Sequence, residues 1–432
     1  MRAGHRRPCI APPFGGERHY RPRAVMTLPV ARVTLKPGHV RPVYSGHPWV
    51  FQQAVAKIEG GPTPGAEVVV VDPHGQKLGR GFYSPKSAIA VRVLSLDPET
   101  RLDGAFFRNR LRRALELRRT FDLPSSEPGR ETTAYRAVHG EGDGLPGLIV
   151  DVFGDVVCVQ LNTIGMRMRE GLVFDAIASE LSPRAIVDRT GETAARMEGF
   201  ELTPGVVRGD AGLTELVFRE RGLTLAIPLA IGQKTGFYVD QRPLRARVEA
   251  LARGKRVLDA YSFVGAFALG AARGGATSVT AVDESAPAVA VGADLARRHG
   301  YEDRISFVRA DARKYLETAS SEGGYDLVVC DPPKLATTQK NRDGALGAYQ
   351  RLAASACRAT SPGGLLVFCS CSGAVSTEDL VRALALGARQ ANLSAVVMER
   401  WSQGPDHPVS AAFPEGLYLK SVIAHIVPIA GS

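Results

Sequence analysis

Four short segments of the chain place chemically capable residues directly after apolar, strand-like runs. The first is Val257-Leu258-Asp259-Ala260-Tyr261-Ser262-Phe263-Val264-Gly265, an apolar run closing on a carboxylate and a turn with one glycine, after which Ala266-Phe267 opens a helix. The second is Asp283, at the end of the next apolar run, and the third is Asp311, after Phe307-Val308-Arg309-Ala310. Carboxylates so placed accept hydrogen bonds from ribose hydroxyls (Asp283) or an adenine amino group (Asp311). The first segment lacks the G-x-G-x-x-G spacing that cradles a pyrophosphate. Each aspartate taken alone reads first as a helix cap or turn former. Three at successive strand ends instead suit an adenosine ligand without phosphates, S-adenosylmethionine rather than NAD.

The fourth segment is Cys330-Asp331-Pro332-Pro333-Lys334. An aspartate followed by two prolines presents a carboxylate and a rigid carbonyl with no competing N–H, an arrangement suited to gripping the polar edge of a base. A rigid turn is the simpler alternative. The following strand ends in Val367-Phe368-Cys369-Ser370-Cys371-Ser372-Gly373 and brings a thiol to the same rim. Most cysteines are small buried apolar residues, but a strand end beside a cofactor favours a reactive one.

These segments need a scaffold, and the chain beyond residue 254 supplies its pattern. Apolar strands near 257–260, 278–282, 305–308, 327–330, 365–369 and 396–399 alternate with Ala-rich helical stretches, which predicts a doubly wound α/β domain with a parallel sheet covered on both faces. A last strand within 416–427 is expected to pair antiparallel at the sheet edge. Near the front, Val68-Val69-Val70-Val71, a turn at Asp72-Pro73-His74-Gly75, and strands at 77–83 and 88–94 predict a small β-barrel. A helix over 104–120 places Phe107, Leu111, Ala114, Leu115 and Arg118 on one side, with further arginines opposite as a solvated face. Between these regions, a hairpin around Gly154-Asp155, a helix over 167–181 and a strand at 185–188 predict a small α+β unit. The loop His139-Gly140-Glu141-Gly142-Asp143-Gly144 lacks the order of a phosphate loop, so its glycines are assigned to tight turns. The expected division is a disordered or misassigned extension at 1–25, the barrel at 30–97, the central unit at 101–205, and a strand-rich lead-in with the α/β domain at 206–432.

Composition narrows the partners. The chain of 432 residues carries a formal charge of +10 and has a pI near 9.4. It therefore favours an anionic partner such as RNA, against the simpler reading of a solvated basic surface. No apolar run is long enough to span a bilayer and no secretory pattern opens the sequence, so a cytoplasmic protein is expected. Six cysteines show neither zinc-site spacing nor the density of a disulfide framework, so reduced thiols and no metal are expected.

From about Val33 to Val427 the chain resembles the bacterial 23S ribosomal RNA cytosine-5 methyltransferases that carry a PUA-like domain, a small central α+β domain and a class I methyltransferase domain. The resemblance rests on Gly46-His47-Pro48-Trp49-Val50-Phe51, Gly81-Phe82-Tyr83, the 139–147 loop ending Leu145-Pro146-Gly147, and Gly232-Gln233-Lys234-Thr235-Gly236-Phe237-Tyr238-Val239-Asp240-Gln241-Arg242. It extends through the Asp-Pro-Pro-Lys segment, Ser370-Cys371-Ser372, Asp406-His407-Pro408 and Ala412-Phe413-Pro414-Glu415. It implies that Asp259 and Gly265 shape the methionine pocket, Asp283 holds the ribose, Asp311 lies by the adenine, Asp331 with Pro332, Pro333 and Lys334 orients the base, and Cys371 attacks it. Ser262, Ala266 and Leu335 depart from the family pattern of Cys, Gly and an aromatic. The implied reaction is methylation of carbon 5 of a cytosine through a cysteine adduct, in which a basic setting, Lys334 included, favours the thiolate. Two alternatives stand beside it: methylation of a base nitrogen, which needs no thiol, and a non-catalytic RNA-binding or assembly factor.

Overall fold

A computed structural model describes residues 30–319, 324–335 and 341–429. The 1–25 extension lies outside the described residues. The four consecutive valines 68–71 are all buried, as expected of an interior strand flanked on both sides. They lie in β4 of a six-stranded sheet made of β1 (Ala31–Leu35), β2 (Trp49–Phe51), β3 (Val55–Glu59), β4 (Glu67–Val71), β5 (Lys77–Tyr83) and β6 (Ile89–Ser95), in the order β2-β6-β5-β4-β1-β3. A short helix α1 (Val40–Tyr44) joins β1 to β2. Gly81 is required where β5 crosses β6, because a Cβ there would stand 2.0 Å from the Arg92 carbonyl oxygen.

Helix α2 (Gly104–Arg119) starts where the Asp103 carboxylate accepts from the Phe106 N–H, an N-cap. It buries Phe107, Leu111, Ala114, Leu115 and Arg118 against a five-stranded sheet in the order β11-β10-β9-β8-β7, formed by β7 (Ala134–His139), β8 (Leu148–Phe153), β9 (Val156–Leu161), β10 (Ala185–Asp188) and β11 (Gly205–Gly209). β11 pairs with β10, so the strand crossing the expected 205/206 boundary belongs to this central sheet. The helix expected over 167–181 is two pieces, α3 (Ile164–Arg167) and α4 (Glu170–Leu181). At the break Arg169 lays its guanidinium 3.9 Å from the centre of the Phe82 ring and donates to the Gly65 carbonyl at 2.7 Å, so the front unit docks where the helix is interrupted. Helix α5 (Glu192–Glu198) connects β10 to β11 in the central unit, and a hairpin of β12 (Glu215–Glu220) and β13 (Leu223–Pro228) forms the lead-in.

The third sheet has the order β16-β15-β14-β17-β18-β20-β19, from β14 (Arg256–Ala260), β15 (Ser278–Asp283), β16 (Ile305–Arg309), β17 (Tyr325–Cys330), β18 (Thr360–Ser370), β19 (Leu393–Trp401) and β20 (Lys420–Pro428). Alternate strand residues feed two cores. Val257, Leu327 and Val367 pack with α6 (Arg242–Leu251), α7 (Ala266–Arg273) and α8 (Ala286–Arg298) on one side, while Leu258, Val328 and Phe368 pack with α9 (Ala312–Thr318), α10 (Arg342–Ala359) and α11 (Thr377–Gln390) on the other. This is the doubly wound arrangement expected. β20 departs from expectation: it pairs antiparallel with both β18 and β19, so it lies inside the sheet and β19 forms the edge. The buried run Val422-Ile423-Ala424, apolar on successive residues, is the physical reason, since only an interior strand buries both of its faces.

Four of the resemblance segments meet at one junction. Trp49 Nε1 donates to Glu141 at 2.8 Å, and the Trp49 ring packs edge-on against Phe413, centroids 4.6 Å apart. Arg118, fully buried, holds Asp143 through two bonds of 2.6 and 2.7 Å and donates to the Asp406 carbonyl at 2.7 Å. Glu141 and Asp143, in the loop whose glycines were assigned to turns, thus bind the three sheets together. Arg92 and Glu198 form a further buried ion pair at 2.9 Å between the front and central units.

Candidate active site

Strand order reverses between β14 and β17, and ligands of open α/β sheets bind beyond the strand ends at such a point. Asp259, buried at the end of β14, accepts from the Ala268 N–H of α7 at 3.1 Å. Burial raises its carboxyl to about 7, against that hydrogen bond and with help from the charges of Asp331 and Asp283. The turn that follows holds Tyr261, Phe263 and Gly265 at φ of 66°, 51° and 75°, left-handed conformations that cost a non-glycine residue on the order of 1 kcal/mol. Asp283 stabilises this strained turn: one oxygen accepts from the Phe263 N–H at 2.8 Å and the other from the Ser285 N–H at 2.9 Å. A Cβ on Gly265 would stand 2.7 Å from the Phe307 ring of β16, so the backbone approaches that strand as only glycine allows.

Asp311 caps α9, accepting from the N–H groups of Arg313 at 2.9 Å and Lys314 at 3.3 Å, with its side chain 42% exposed. Asp259, Gly265 and Asp283 come together around one turn, and Asp311 stands at the end of the neighbouring strand in a capping role. The donor set fits S-adenosylmethionine. Each Asp283 oxygen keeps unused acceptor capacity, and the Ser262 hydroxyl in the turn is buried without a partner.

Beside this corner, Asp331 follows β17 and accepts from Gln241 Nε2 at 2.9 Å. Burial, then the Asp240 charge, pushes its carboxyl up to about 6, opposed by Lys234 and the Gln241 bond. Pro332 is buried, whereas Pro333, Lys334 and Leu335 are exposed. Burial alone would raise the Asp240 carboxyl, but Lys234, His407 and the Tyr418 hydroxyl hold it well below the usual range, through bonds of 3.0 Å to Lys234 and 2.5 Å to Tyr418. Asp240 Oδ1 and Gln241 Oε1 are buried with no hydrogen-bond partner. The Lys234 ammonium sits 4.4 Å from the centre of the Tyr238 ring. Lys234, Tyr238, Asp240 and Gln241 all lie in the 232–242 segment that carried the resemblance, yet none was singled out from sequence. A carboxylate and a lysine amid glycines and aromatics were the available signal.

The two cysteines of β18 and its end part company. Cys369 is wholly buried in a core cluster, whereas Cys371, just past the strand, is partly exposed. Tyr349 anchors both flanks of Cys371, accepting from Ser370 Oγ at 2.8 Å and lying 3.1 Å from Ser372 Oγ. The expectation of a thiol kept acidic by its surroundings is corrected: burial and then the Asp331 charge push the Cys371 thiol up, outweighing Lys234 and Lys334. Lys334 acts weakly because it is exposed.

A doubly wound sheet with acidic residues at the ends of β14 and β15 and an Asp-Pro-Pro turn at the switch point defines a class I methyltransferase, and the S-adenosylmethionine-dependent methyltransferase family matches residues 208–418. The PUA-like domain family matches residues 33–96, the six-stranded front sheet. The ribosomal RNA large subunit methyltransferase I of Shewanella denitrificans is 37% identical over 399 residues, 91% of this chain and 99% of its own length. That of an Escherichia coli O139:H28 strain is 35% identical over 402 residues, 92% and 99%. The chain belongs to this ribosomal RNA large subunit methyltransferase I family. A methyltransferase solved in complex with S-adenosylhomocysteine shares the fold, with a TM-score of 0.77 at 18% identity, over 91% of this chain and 99% of its own. None of the described helices is long and apolar enough to cross a membrane.

Proposed function

We propose that the protein methylates carbon 5 of a cytosine in large-subunit ribosomal RNA, in the cytoplasm, through a covalent adduct with Cys371. The observation that carries this reading is a partly exposed Cys371 just past β18 and within the field of Asp331, which follows the neighbouring β17, while Cys369 is shut in the core. Carbon 5 of cytosine is a poor nucleophile until a thiolate adds to carbon 6. Bound S-adenosylmethionine supplies the electrophilic methyl group. Asp283 and the Tyr261–Gly265 turn would hold its ribose and methionine ends, with Asp259 behind the turn and Asp311 toward the adenine. Asp331, with a carboxyl near 6, is able to donate a proton to N3 as sulfur adds to carbon 6, and Pro332, Pro333 and Lys334 frame the base edge. The unpartnered Gln241 Oε1 suits the exocyclic amine of cytosine. A base in a paired stem must be flipped out to reach this rim, and the front module supplies RNA affinity.

The test is trapping on ribosomal RNA transcripts in which 5-fluorocytosine replaces cytosine. Fluorine at carbon 5 blocks proton loss, so a covalent complex of protein and RNA should accumulate with the parent protein and be absent from Cys371→Ala. A methyl group found on a base nitrogen, with no adduct, would transfer the assignment to nitrogen methylation.

A further inference from the structure

Six lysine or arginine side chains are buried among the described residues: Arg92, Arg118, Arg136, Arg242, Arg245 and Lys420. Each of the five arginines ion-pairs with a carboxylate, respectively Glu198, Asp143, Asp151, Asp406 and Glu220. That is the rule for buried cations, which are costly to desolvate unless matched. Lys420 breaks it. It is 4% exposed, and no carboxylate of the described residues lies within ion-pair distance. Its ammonium donates to the Ser372 carbonyl at 2.8 Å, one use among three donors.

The location of this unmatched cation is specific. Across the sheet Lys420 is the register partner of Ser370, the residue before Cys371, and its ammonium rests on the carbonyl of Ser372, the residue after. From β20 it thus touches the backbone on both sides of the cysteine, through pairing with Ser370 and the bond to Ser372. The other charged groups acting on the thiol are Asp331 and Asp240, which oppose its ionisation, and Lys234 and Lys334, which favour it. The groups acting on the ammonium are Cys371, Lys334 and Asp379. Asp379 is engaged by Arg342 at 2.6 Å, which leaves the sulfur of Cys371, once ionised, to serve as the anion of Lys420.

We propose that Lys420 is a positioning residue that stabilises the Cys371 thiolate as it forms, acting as its buried counter-cation, an inference that rests on Cys371 being the nucleophile. In the step, the S–H bond of Cys371 breaks and the proton passes to the Asp331 carboxylate, while Lys420 stays an ammonium throughout. The new ion pair is neutral overall. As the bond from sulfur to carbon 6 forms, the proton on Asp331 moves to N3 of the base, and it returns by the same route when sulfur is expelled. Burial lowers the Lys420 ammonium, and the charge of an ionised Cys371 opposes that shift.

The experiment measures alkylation of Cys371 by iodoacetamide in the full chain with S-adenosylhomocysteine bound, from about pH 5 to 10, read by peptide mass spectrometry. Lys420→Met and Lys420→Gln should move the thiol titration upward by about one unit, roughly a tenfold slower reaction at pH 7. Lys420→Arg, which keeps the charge, should recover at least part of it. Gln retains an N–H donor for the Ser372 carbonyl, so it separates charge from support of the turn and serves if the Met variant does not fold. Trapping rates on 5-fluorocytosine RNA should fall in parallel. A Lys420→Gln titration superimposable on that of the parent, with unchanged trapping, would overturn the proposal. If the parent traps no adduct yet the titration still shifts, the pairing of lysine and thiol stands and the nucleophile assignment fails.

Discussion

Gln241, at the entry to α6, donates through Nε2 to Oδ2 of Asp331 at the end of β17, 2.9 Å away and 90 residues on in the chain. The bond ties the lead-in to the Asp-Pro-Pro turn, and it is made to a carboxyl raised to about 6 from an ordinary 3.8. The fold therefore binds this proton more tightly than the unfolded chain. The stability from Asp331 is complete below about pH 4 and is lost as pH rises through about 6. Asp331→Asn keeps an acceptor for Gln241 and escapes that loss. It should be inactive yet more stable than the parent by about 1–3 kcal/mol at pH 8, with little difference at pH 4. Urea unfolding at the two pH values measures this, and an equal gap at both would show that ionisation is not what the fold opposes.

Asp283→Ala removes two backbone tethers along with a ribose acceptor. Affinity for S-adenosylhomocysteine should fall by about 1.5–3 kcal/mol in calorimetric titration, and the melting temperature should drop as the Tyr261–Gly265 turn loosens. Asp283→Asn retains an acceptor for the Phe263 N–H and should recover more of the stability than of the affinity. A folded Asp283→Ala protein with undiminished affinity would remove Asp283 from the cofactor site.

Cys369 and Cys371 are separated by one residue and by the end of β18. Cys369→Ala should remain active at a cost of about 1 kcal/mol in stability, whereas Cys371→Ala should lose methylation and still bind S-adenosylhomocysteine. Tritium transfer to ribosomal RNA, paired with thermal unfolding, distinguishes the two. Loss of activity in the Cys369 variant alone would exchange their roles.

Arg92→Met leaves Glu198 buried without its cation at the contact between the front and central units. Removing one partner of a buried pair costs about 3–5 kcal/mol. Glu198 also accepts from the Ile164 N–H at 3.2 Å, so an Arg92→Met/Glu198→Gln double variant, which keeps an acceptor there, should regain part of the loss. If denaturant unfolding shows the single variant within about 0.5 kcal/mol of the parent, the two units are not coupled through this pair.

The aspartates at 259, 283 and 331 were legible because each follows an apolar run whose period marks a strand, and topology then carries strand ends to a common rim. The separation of Cys371 from Cys369 was not, since both are in phase on one strand and only the point where pairing stops exposes one of them. Lys234 and Asp240 pair across only six residues, so their charged pattern amid glycines and aromatics was there to find. Their wider setting, such as Tyr418 on Asp240 across 178 residues, and the place of Lys420 beside β18 are made by contacts between distant segments that no local pattern encodes. The interior place of β20 was half legible: its apolar run spoke for burial on both faces, but which strands flank it is decided by pairing alone.

That interior place has a consequence for how the protein is made. β18 carries Cys371 at its end and emerges from the ribosome well before β20, the strand that lies beside it and bears Lys420. Synthesis runs from the N-terminus and domains fold largely in that order, so the front and central units are able to form while the third sheet still lacks an inner member. The parallel strands must wait with an open edge until β20 inserts between β18 and β19, a long-range pairing of the kind that slows folding. The nascent chain therefore gains the rim in which sulfur and lysine meet only after β20 has been made, and a polypeptide that stalls before it carries the cysteine without its counter-cation.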